Sequence, residues 1–246
     1  MHKVAPGIAQ GNNTLNVIAL VPLGNGDAAR SGVLLPVRGE PLLSHAVHGL
    51  LDSGCVDRIV VAGPARHRAA YPPLTCHGDR VVLVTDEPVA GDIAPANANH
   101  GDATLRSALS AAAPGPDDVV LVHDATRAFV PASVIAAAVD TVRDGVDAAV
   151  PVEPVADTVK VVDTEGIVQG TRDRSLLRHA QAPVAVRADV LAELLTGAAA
   201  PTGTAELVAR LDGRARTVPG DPHGMCVRTP FDVAVIEALL STENTA

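Results

Sequence analysis

Residues 119–152 read VVLVHDATRAFVPASVIAAAVDTVRDGVDAAVPV, and the fold is decided there. A short apolar run, Val119–Val122, ends in the polar turn His123-Asp-Ala-Thr-Arg127. A stretch with apolar residues on a three-to-four spacing follows, Pro131–Arg143, and then a second apolar run, Ala148–Val152. Short β-branched runs bounded by turn residues read as buried strands, and three-to-four spacing reads as an amphipathic helix. Strand, helix, strand is a βαβ unit, whose crossover is right-handed and whose strands are parallel.

The same alternation recurs ahead of this unit. Val17–Val21, Arg58–Ala62 and Val81–Thr85 read as further strands, with helical patterns at Pro41–Asp52 and Asp102–Ala112. Hydrophobic residues make up 47% of the chain but aromatics only 1%, and tryptophan is absent, so the core must be built from Val, Leu, Ile and Ala. Those residues suit a parallel sheet buried on both faces. The sequence therefore predicts one α/β, Rossmann-like domain over residues 1–246, a mostly parallel sheet with helices on both faces. Such sheets bind ligands at the carboxyl ends of their strands, which directs attention to the loops after Val21, Thr85 and Val122.

One stretch, Val152 to Pro183, breaks the rhythm. Thr158-Val-Lys-Val-Val162 and Ile167-Val-Gln-Gly-Thr171 flank a turn at Asp163–Gly166, which reads as a protruding β-hairpin rather than another crossover. Beyond it the pattern gives helices around Ala188–Leu195 and Ala205–Leu211, a strand near Ala215–Val218 and a closing helix from Pro230 to about Leu240. Thr229 is placed as its N-cap, with proline at the first helical position.

Charge narrows the functional classes. A net charge of −9 argues against nucleic acid or an anionic membrane as partner, since both require a basic field, but it leaves room for a small anion held by a local cluster of arginines. Three scattered cysteines, Cys55, Cys76 and Cys226, do not suggest a disulfide framework. Residues 1–11 lack the apolar core of a signal peptide and no apolar run spans a bilayer, so the expectation is a cytoplasmic protein. His67, Cys76 and His77 match no standard zinc spacing. Tyr71, Phe129 and Phe231 read as packing residues.

Two loops carry candidate chemistry. Val21-Pro-Leu-Gly24-Asn-Gly26-Asp-Ala-Ala-Arg30 places glycines directly after the first strand, where backbone N–H groups either close around phosphates or simply make a turn. In Val122-His-Asp-Ala-Thr-Arg127, Asp124 either holds a magnesium ion against phosphate oxygens or pairs with Arg127 or caps the turn, and Arg127 can fork onto a phosphate. His123 is either a base or a packed histidine.

These residues resemble a known family. His123-Asp-Ala-Thr-Arg127 is similar to the His-Asp-Ala-Ala-Arg signature of the methylerythritol phosphate cytidylyltransferases. Pro151-Val-Glu-Pro-Val-Ala-Asp-Thr-Val-Lys160 looks like that family's Pro-Val-x-x-x-x-Asp-Thr-x-Lys segment, and Arg174 through Gln181 to Pro183 resembles its Arg-x-x-Leu-x-x-x-Gln-Thr-Pro. The resemblance implies transfer of CMP from CTP to 2-C-methyl-D-erythritol 4-phosphate, with magnesium as cofactor and a homodimer interlocked through a β-arm at about 152–183. It assigns catalytic places to Arg30 and Asp124, with Asp124 also facing the metal. Gly24, Gly26, Thr104, Asp124 and Arg228 fall to the nucleotide, and Arg127 to the substrate region. Thr158 and Arg174 come from the partner's arm to hold the polyol phosphate.

The signatures are not matched throughout. Leu23, Asn25 and Asp27 interrupt the family's Pro-Ala-Ala-Gly-x-Gly-x-Arg loop; Gly101 stands in an arginine's place within Asn97–Thr104; Cys226 stands where the Asn-x-Lys-x-Thr strand has lysine, and His223 where a second metal carboxylate is expected. Lys3 and Lys160 are the only lysines in the sequence. Loss of one preorganised charge from such a site costs roughly two to three orders of magnitude in rate. The expectation is therefore an impaired cytidylyltransferase, the alternative an inactive paralogue or binding protein that keeps fold and dimer. Arg30, Arg38 and Arg228 are the candidates to restore the missing charge, Arg228 because it lies two residues beyond Cys226 on the same strand face.

Overall fold

The computed structural model describes residues 15–23, 32–65, 77–86, 100–196, 201 and 203–243. Strands β1 (Val17–Pro22), β4 (Arg58–Pro64), β5 (Val81–Asp86), β6 (Val119–Val122), β7 (Ala148–Pro154), β10 (Arg178–Ala180), β11 (Val184–Arg187) and β12 (Ala215–Pro219) form one eight-stranded sheet. Short strands β2 (Pro36–Val37) and β3 (Glu40–Pro41) make a tight hairpin, and β8 (Val159–Val162) pairs with β9 (Val168–Arg172) in a separate two-stranded ribbon. The helices are α1 (Leu42–Asp52), α2 (His100–Ala112), α3 (Ala132–Arg143), α4 (Ala188–Leu195), α5 (Thr204–Arg210) and α6 (Pro230–Glu243).

The sheet is mixed, with a parallel majority. β5, β4, β1 and β6 run parallel in that spatial order, and β12 pairs parallel with β7. Between these two parallel sets lies β11, antiparallel to both β6 and β7, while β10 continues along the same edge of β7. Neither β10 nor β11 was expected from the sequence. A four-residue run such as Val184-Ala-Val-Arg187, directly after Pro183, is too short for periodicity to separate it from a loop.

Alternation along the central strands feeds two cores. Ala19, Val21, Ile59, Val61, Val119 and Leu121 face α1, α3 and α6, whereas Ile18, Leu20, Val60, Ala62, Val120 and Val122 face α2, α4 and α5. Every residue of β6 is fully buried, which is why its sequence is unbroken Val-Val-Leu-Val rather than an apolar-polar alternation.

The local rules are visible in α3. Its alanines give high helix propensity, and Val134, Ile135, Ala138, Val139 and Val142 form the buried stripe. Arg143 lies in the last turn against the negative helix end, and Gly145, at φ 95°, lets the chain leave in a conformation that side chains resist. At the start of α6, Thr229 Oγ1 accepts from the Asp232 N–H at 3.2 Å, and Asp232 Oδ2 accepts from the Thr229 N–H at 2.9 Å. This is the expected N-cap, closed reciprocally by an acidic residue three positions on.

The hairpin β8–β9 stands apart from the large sheet. Its turn is held by Asp163, whose Oδ1 accepts from the N–H groups of Glu165 (3.0 Å) and Ile167 (2.9 Å) and whose Oδ2 accepts from Gln169 Nε2 (2.5 Å). Those donors, Ile167 first, hold the Asp163 carboxyl below its usual range.

Leu121→Ala tests the packing. With the side chain wholly buried, unfolding in urea should show a loss of about 2–5 kcal/mol. A loss under about 1 kcal/mol would contradict a close-packed layer beneath β6.

Candidate active site

The carboxyl ends of β1 and β6 emerge side by side, because Val17–Leu20 pair in register with Val119–Val122. The His123 N–H donates to the Leu20 carbonyl at 2.9 Å and carries the ladder one residue further. Asp124 therefore leaves the sheet directly beside Pro22. A cavity of about 280 Å³ opens there, walled by Pro22, His123 and Asp124, by Gly203–Glu206 at the start of α5, and by Arg228.

Asp124 is held on one side only. Its Oδ1 accepts from the Thr126 N–H at 2.9 Å and from Thr126 Oγ1 at 2.7 Å, whereas Oδ2 lies 3.9 Å from Arg228 Nη2. Arg228 comes from the segment before α6. It is brought in by two backbone constraints. The Val227 N–H donates to the Thr126 carbonyl at 2.8 Å, and a β-carbon at Gly32 would lie 3.1 Å from both the Val227 carbonyl and Arg228 Cα. Gly32 has φ 75°, so glycine is required there for conformation and is favoured by the close approach.

Arg127 is engaged in holding backbone. Its Nη1 donates to the Gly224 carbonyl at 2.6 Å and its Nη2 to the Ala180 carbonyl at 3.3 Å. Those contacts tie the β6 turn to residues 220–224 and to the root of the hairpin. Buried Gln181 completes that tie, donating to Glu153 Oε2 (2.6 Å) and to the Asp221 carbonyl (2.8 Å) and accepting from the Asp221 N–H (3.0 Å).

The remaining expected residues fall in several places. Thr104 is fully buried in α2, the helix packed on β1, rather than on the cavity wall. Arg38 lies in the β2–β3 turn, its N–H donating to Glu237 Oε1 at 3.1 Å, and does not line the cavity. Thr158 and Arg174 lie on the arm, where Arg174 donates to the Ala156 carbonyl and, with Arg178, borders a second, open concavity. Gly24, Gly26 and Arg30 lie outside the described residues, as do His67, Tyr71, Cys76 and Asn97–Asn99. Thr126 and the α5 start were not singled out from the sequence, and Gln181 was read as a motif position without the contacts it makes. The threonine differs from the signature's alanine, and that difference was the available signal for it.

His123 is buried, and its Nδ1 has no hydrogen-bond partner. Desolvation pushes its pKa down from 6.5 to about 4, against the attraction of Asp124 and with help from Arg127. The ring is thus neutral at physiological pH. It packs beneath the loop as an uncharged group.

The fold and cavity define a class: a Rossmann-like α/β protein with a carboxylate and a guanidinium facing each other at the carboxyl ends of its central strands. Residues 17–242 match the family model for IspD, 2-C-methyl-D-erythritol 4-phosphate cytidylyltransferase, and the chain belongs to that family. It is 43% identical over 237 residues to 2-C-methyl-D-erythritol 4-phosphate cytidylyltransferase of Saccharopolyspora erythraea, covering 92% of this chain and 100% of the relative. The protein of that name from Nocardia farcinica is 39% identical, with 93% and 96% covered. Among solved structures, 4-diphosphocytidyl-2C-methyl-D-erythritol synthase of Anaerococcus prevotii superposes with TM-score 0.71 at 19% identity, over 92% of this chain and 99% of that one. The Thermus thermophilus cytidylyltransferase gives TM-score 0.66 at 24% identity, with 92% and 98% covered. The departures in the glycine loop and at Cys226 do not place the chain outside the family.

Burial of His123 has a pH consequence. Between about pH 6.5 and pH 4 the unfolded chain binds a proton at this ring that the native state does not, so the stabilisation is complete above pH 6.5 and is lost as pH falls towards 4. On the order of 3 kcal/mol is at stake. Urea unfolding of wild type and His123→Asn at pH 7 and pH 4.5 should show wild type losing more on acidification. Equal losses would contradict a neutral buried ring.

Proposed function

We propose that this chain transfers CMP from CTP to 2-C-methyl-D-erythritol 4-phosphate in the cavity around Asp124, as a magnesium-dependent homodimer. The observation that supports this most directly is the facing pair, Asp124 Oδ2 and Arg228 Nη2 at 3.9 Å, on the wall of a cavity at the strand ends. The family membership supplies the substrates.

In the transfer, an oxygen of the acceptor's phosphate attacks the α-phosphorus of CTP in line, a new phosphorus–oxygen bond forms, and the bond to the β-phosphate oxygen breaks to release pyrophosphate. No covalent step falls to the protein; its task is positioning and charge neutralisation. Arg228 is exposed, and Asp124 is its ion-pair partner among the described residues. A pair so open to water contributes little to stability, which leaves the guanidinium available to grip a phosphate in bidentate fashion. It is the cation we assign to the place that Cys226 leaves without a lysine. Arg127 and Gln181 keep the two segments that carry Asp124 and Arg228 in fixed relation.

The donor set suits magnesium. Asp124 turns one carboxylate oxygen to the cavity while the other is occupied by Thr126, and Mg²⁺ commonly takes one or two carboxylates plus substrate phosphates and water. Among the described residues no group of three or more His, Cys, Asp or Glu side chains converges, so substrate oxygens and water would complete the shell. When bound, such an ion neutralises phosphate charge at the reacting centre.

The arm supports the dimer. Val162, Ile167, Val168 and Leu176 are 53%, 57%, 58% and 83% exposed in the single chain. Exposed aliphatic residues gathered on the ribbon and the turn that follows it mark an interaction surface, and a second copy burying them would also bring Thr158 and Arg174 to a neighbouring cavity. Among the described residues no helix is long and apolar enough to cross a membrane, and the acidic net charge argues against nucleic acid. We place the protein in the cytoplasm.

Two measurements test this reading. Pyrophosphate release from CTP, Mg²⁺ and 2-C-methyl-D-erythritol 4-phosphate should be measurable in wild type and fall about 10²–10³-fold in Arg228→Ala and in Asp124→Asn. Absence of release by wild type, with CTP still raising its melting temperature, would favour a binding protein instead. Light scattering should give a dimer for wild type and a monomer for the Val162→Asp/Val168→Asp double variant. A wild-type monomer would remove the shared-arm assignment.

A further inference from the structure

Thr126 is the residue that connects the two charged groups of the cavity. It is buried, and it contacts Asp124 twice, through its N–H and its hydroxyl, both directed to Oδ1. Its carbonyl accepts from the Val227 N–H, one residue before Arg228, and its Oγ1 lies 3.0 Å from Cys226 Sγ, two residues before it. Backbone, hydroxyl and thiol thus join the β6 turn to the segment before α6 at one point. Thr126 and Cys226 are also both positions at which this chain departs from the signatures quoted above, and the two departures touch.

We propose that Thr126 is a positioning residue. By occupying Oδ1 it determines that Oδ2 alone of the Asp124 carboxylate faces the cavity, and through Cys226 and Val227 it fixes how far Arg228 stands from that oxygen. A carboxylate without this hold rotates about its terminal bond, which is broad and nearly twofold, and presents either oxygen or both. The cost of that freedom is paid when metal and triphosphate must meet one defined oxygen. Thr126 therefore acts on metal-nucleotide binding and on turnover, and not on the polyol phosphate, which the arm is assigned to hold.

This role rests on the proposed cytidylyl transfer, and the test separates the two. Mn²⁺ binding in the presence of CTP, read by electron paramagnetic resonance, is compared for wild type, T126V and T126S, alongside steady-state kinetics. Hydrogen bonds to a charged group justify an expected loss of about tenfold in Mn²⁺·CTP affinity and at least that in kcat for T126V. KM for the polyol phosphate should stay within about twofold, and T126S should recover to within about threefold of wild type on the same reasoning. T126A repeats the measurement with no added bulk should the valine disturb folding. Unaltered Mn²⁺·CTP binding in both T126V and T126A overturns the role, as does T126S behaving like T126V, since serine keeps the hydroxyl that the role requires. Failure of wild type to take Mn²⁺·CTP at all overturns the functional reading itself, and this role with it.

Discussion

The register of β1 against β6 is the constraint on which the site depends. Four consecutive parallel pairs, from Val17 with Val119 to Leu20 with Val122, are wholly buried apart from the slight exposure of Ile18. A slip of one residue would turn each of these side chains to the opposite core, exchanging valines, leucines and an alanine that each layer is packed around. The apolar interior thereby dictates where the polar turn begins. His123 closes the ladder with its own N–H to Leu20, and Asp124 is the first residue free to face outward. On the other side of β1 the Leu23 N–H donates to the Ala62 carbonyl at 2.7 Å, so both neighbours of the central strand fix the level at which loops start.

Much of this architecture was legible because the core is aliphatic and the helices are long. The strands β1, β4, β5, β6 and β7 and the helices α1, α2 and α3 follow from apolar runs separated by three-to-four spacing, and the hairpin from its turn residues between two short β-branched runs. What could not be read is the insertion of β11 between β6 and β7. Four residues carry no usable period, and the pairing joins Val184 to Val122 across 62 positions of sequence, so the information lies in tertiary packing alone. The same applies to the site. Asp124 was identifiable from its place after a strand, whereas Arg228 was reached by placing residues 224–228 on a strand that the structure does not form there. Their meeting at 3.9 Å across more than a hundred residues was not legible. Thr126 escaped notice because a threonine in a turn has an ordinary local explanation, and Gln181, although a position of the quoted signature, carries no local sign of the segments it ties together.

The electrostatic arrangement suits an acidic protein that handles anions. Lys160 is remote from the cavity, donating to Thr171 Oγ1 on the arm at 2.8 Å. Among the described residues, positive charge near Asp124 is therefore guanidinium charge, and Arg127 and Arg228 are used differently. Arg127 has both terminal nitrogens on backbone carbonyls, so its value is rigidity: it joins the β6 turn, residues 220–224 and the root of the arm. Arg228 has its fork turned to solvent. A rigid, planar donor array of this kind can face a carboxylate on one edge and a phosphate on another, which a single ammonium on a flexible stem does less well.

The looseness of the Asp124–Arg228 pair is then informative. At 3.9 Å, with Arg228 63% exposed, it is too open to act as a structural bridge. A tight, desolvated pair would have to be broken before either partner could engage a ligand, at a cost of several kcal/mol. Holding the groups near each other but unbound keeps both charges hydrated and close to where opposite charges of a substrate would arrive. The rigidity this requires comes from the groups around the pair: Thr126 on the carboxylate, Arg127 on two backbone carbonyls, Gly32 packed on the backbone of Arg228, and Gln181 locked among Glu153 and Asp221. Preorganisation here resides in those supporting contacts, and the Asp124–Arg228 pair is left free to react to what enters the cavity.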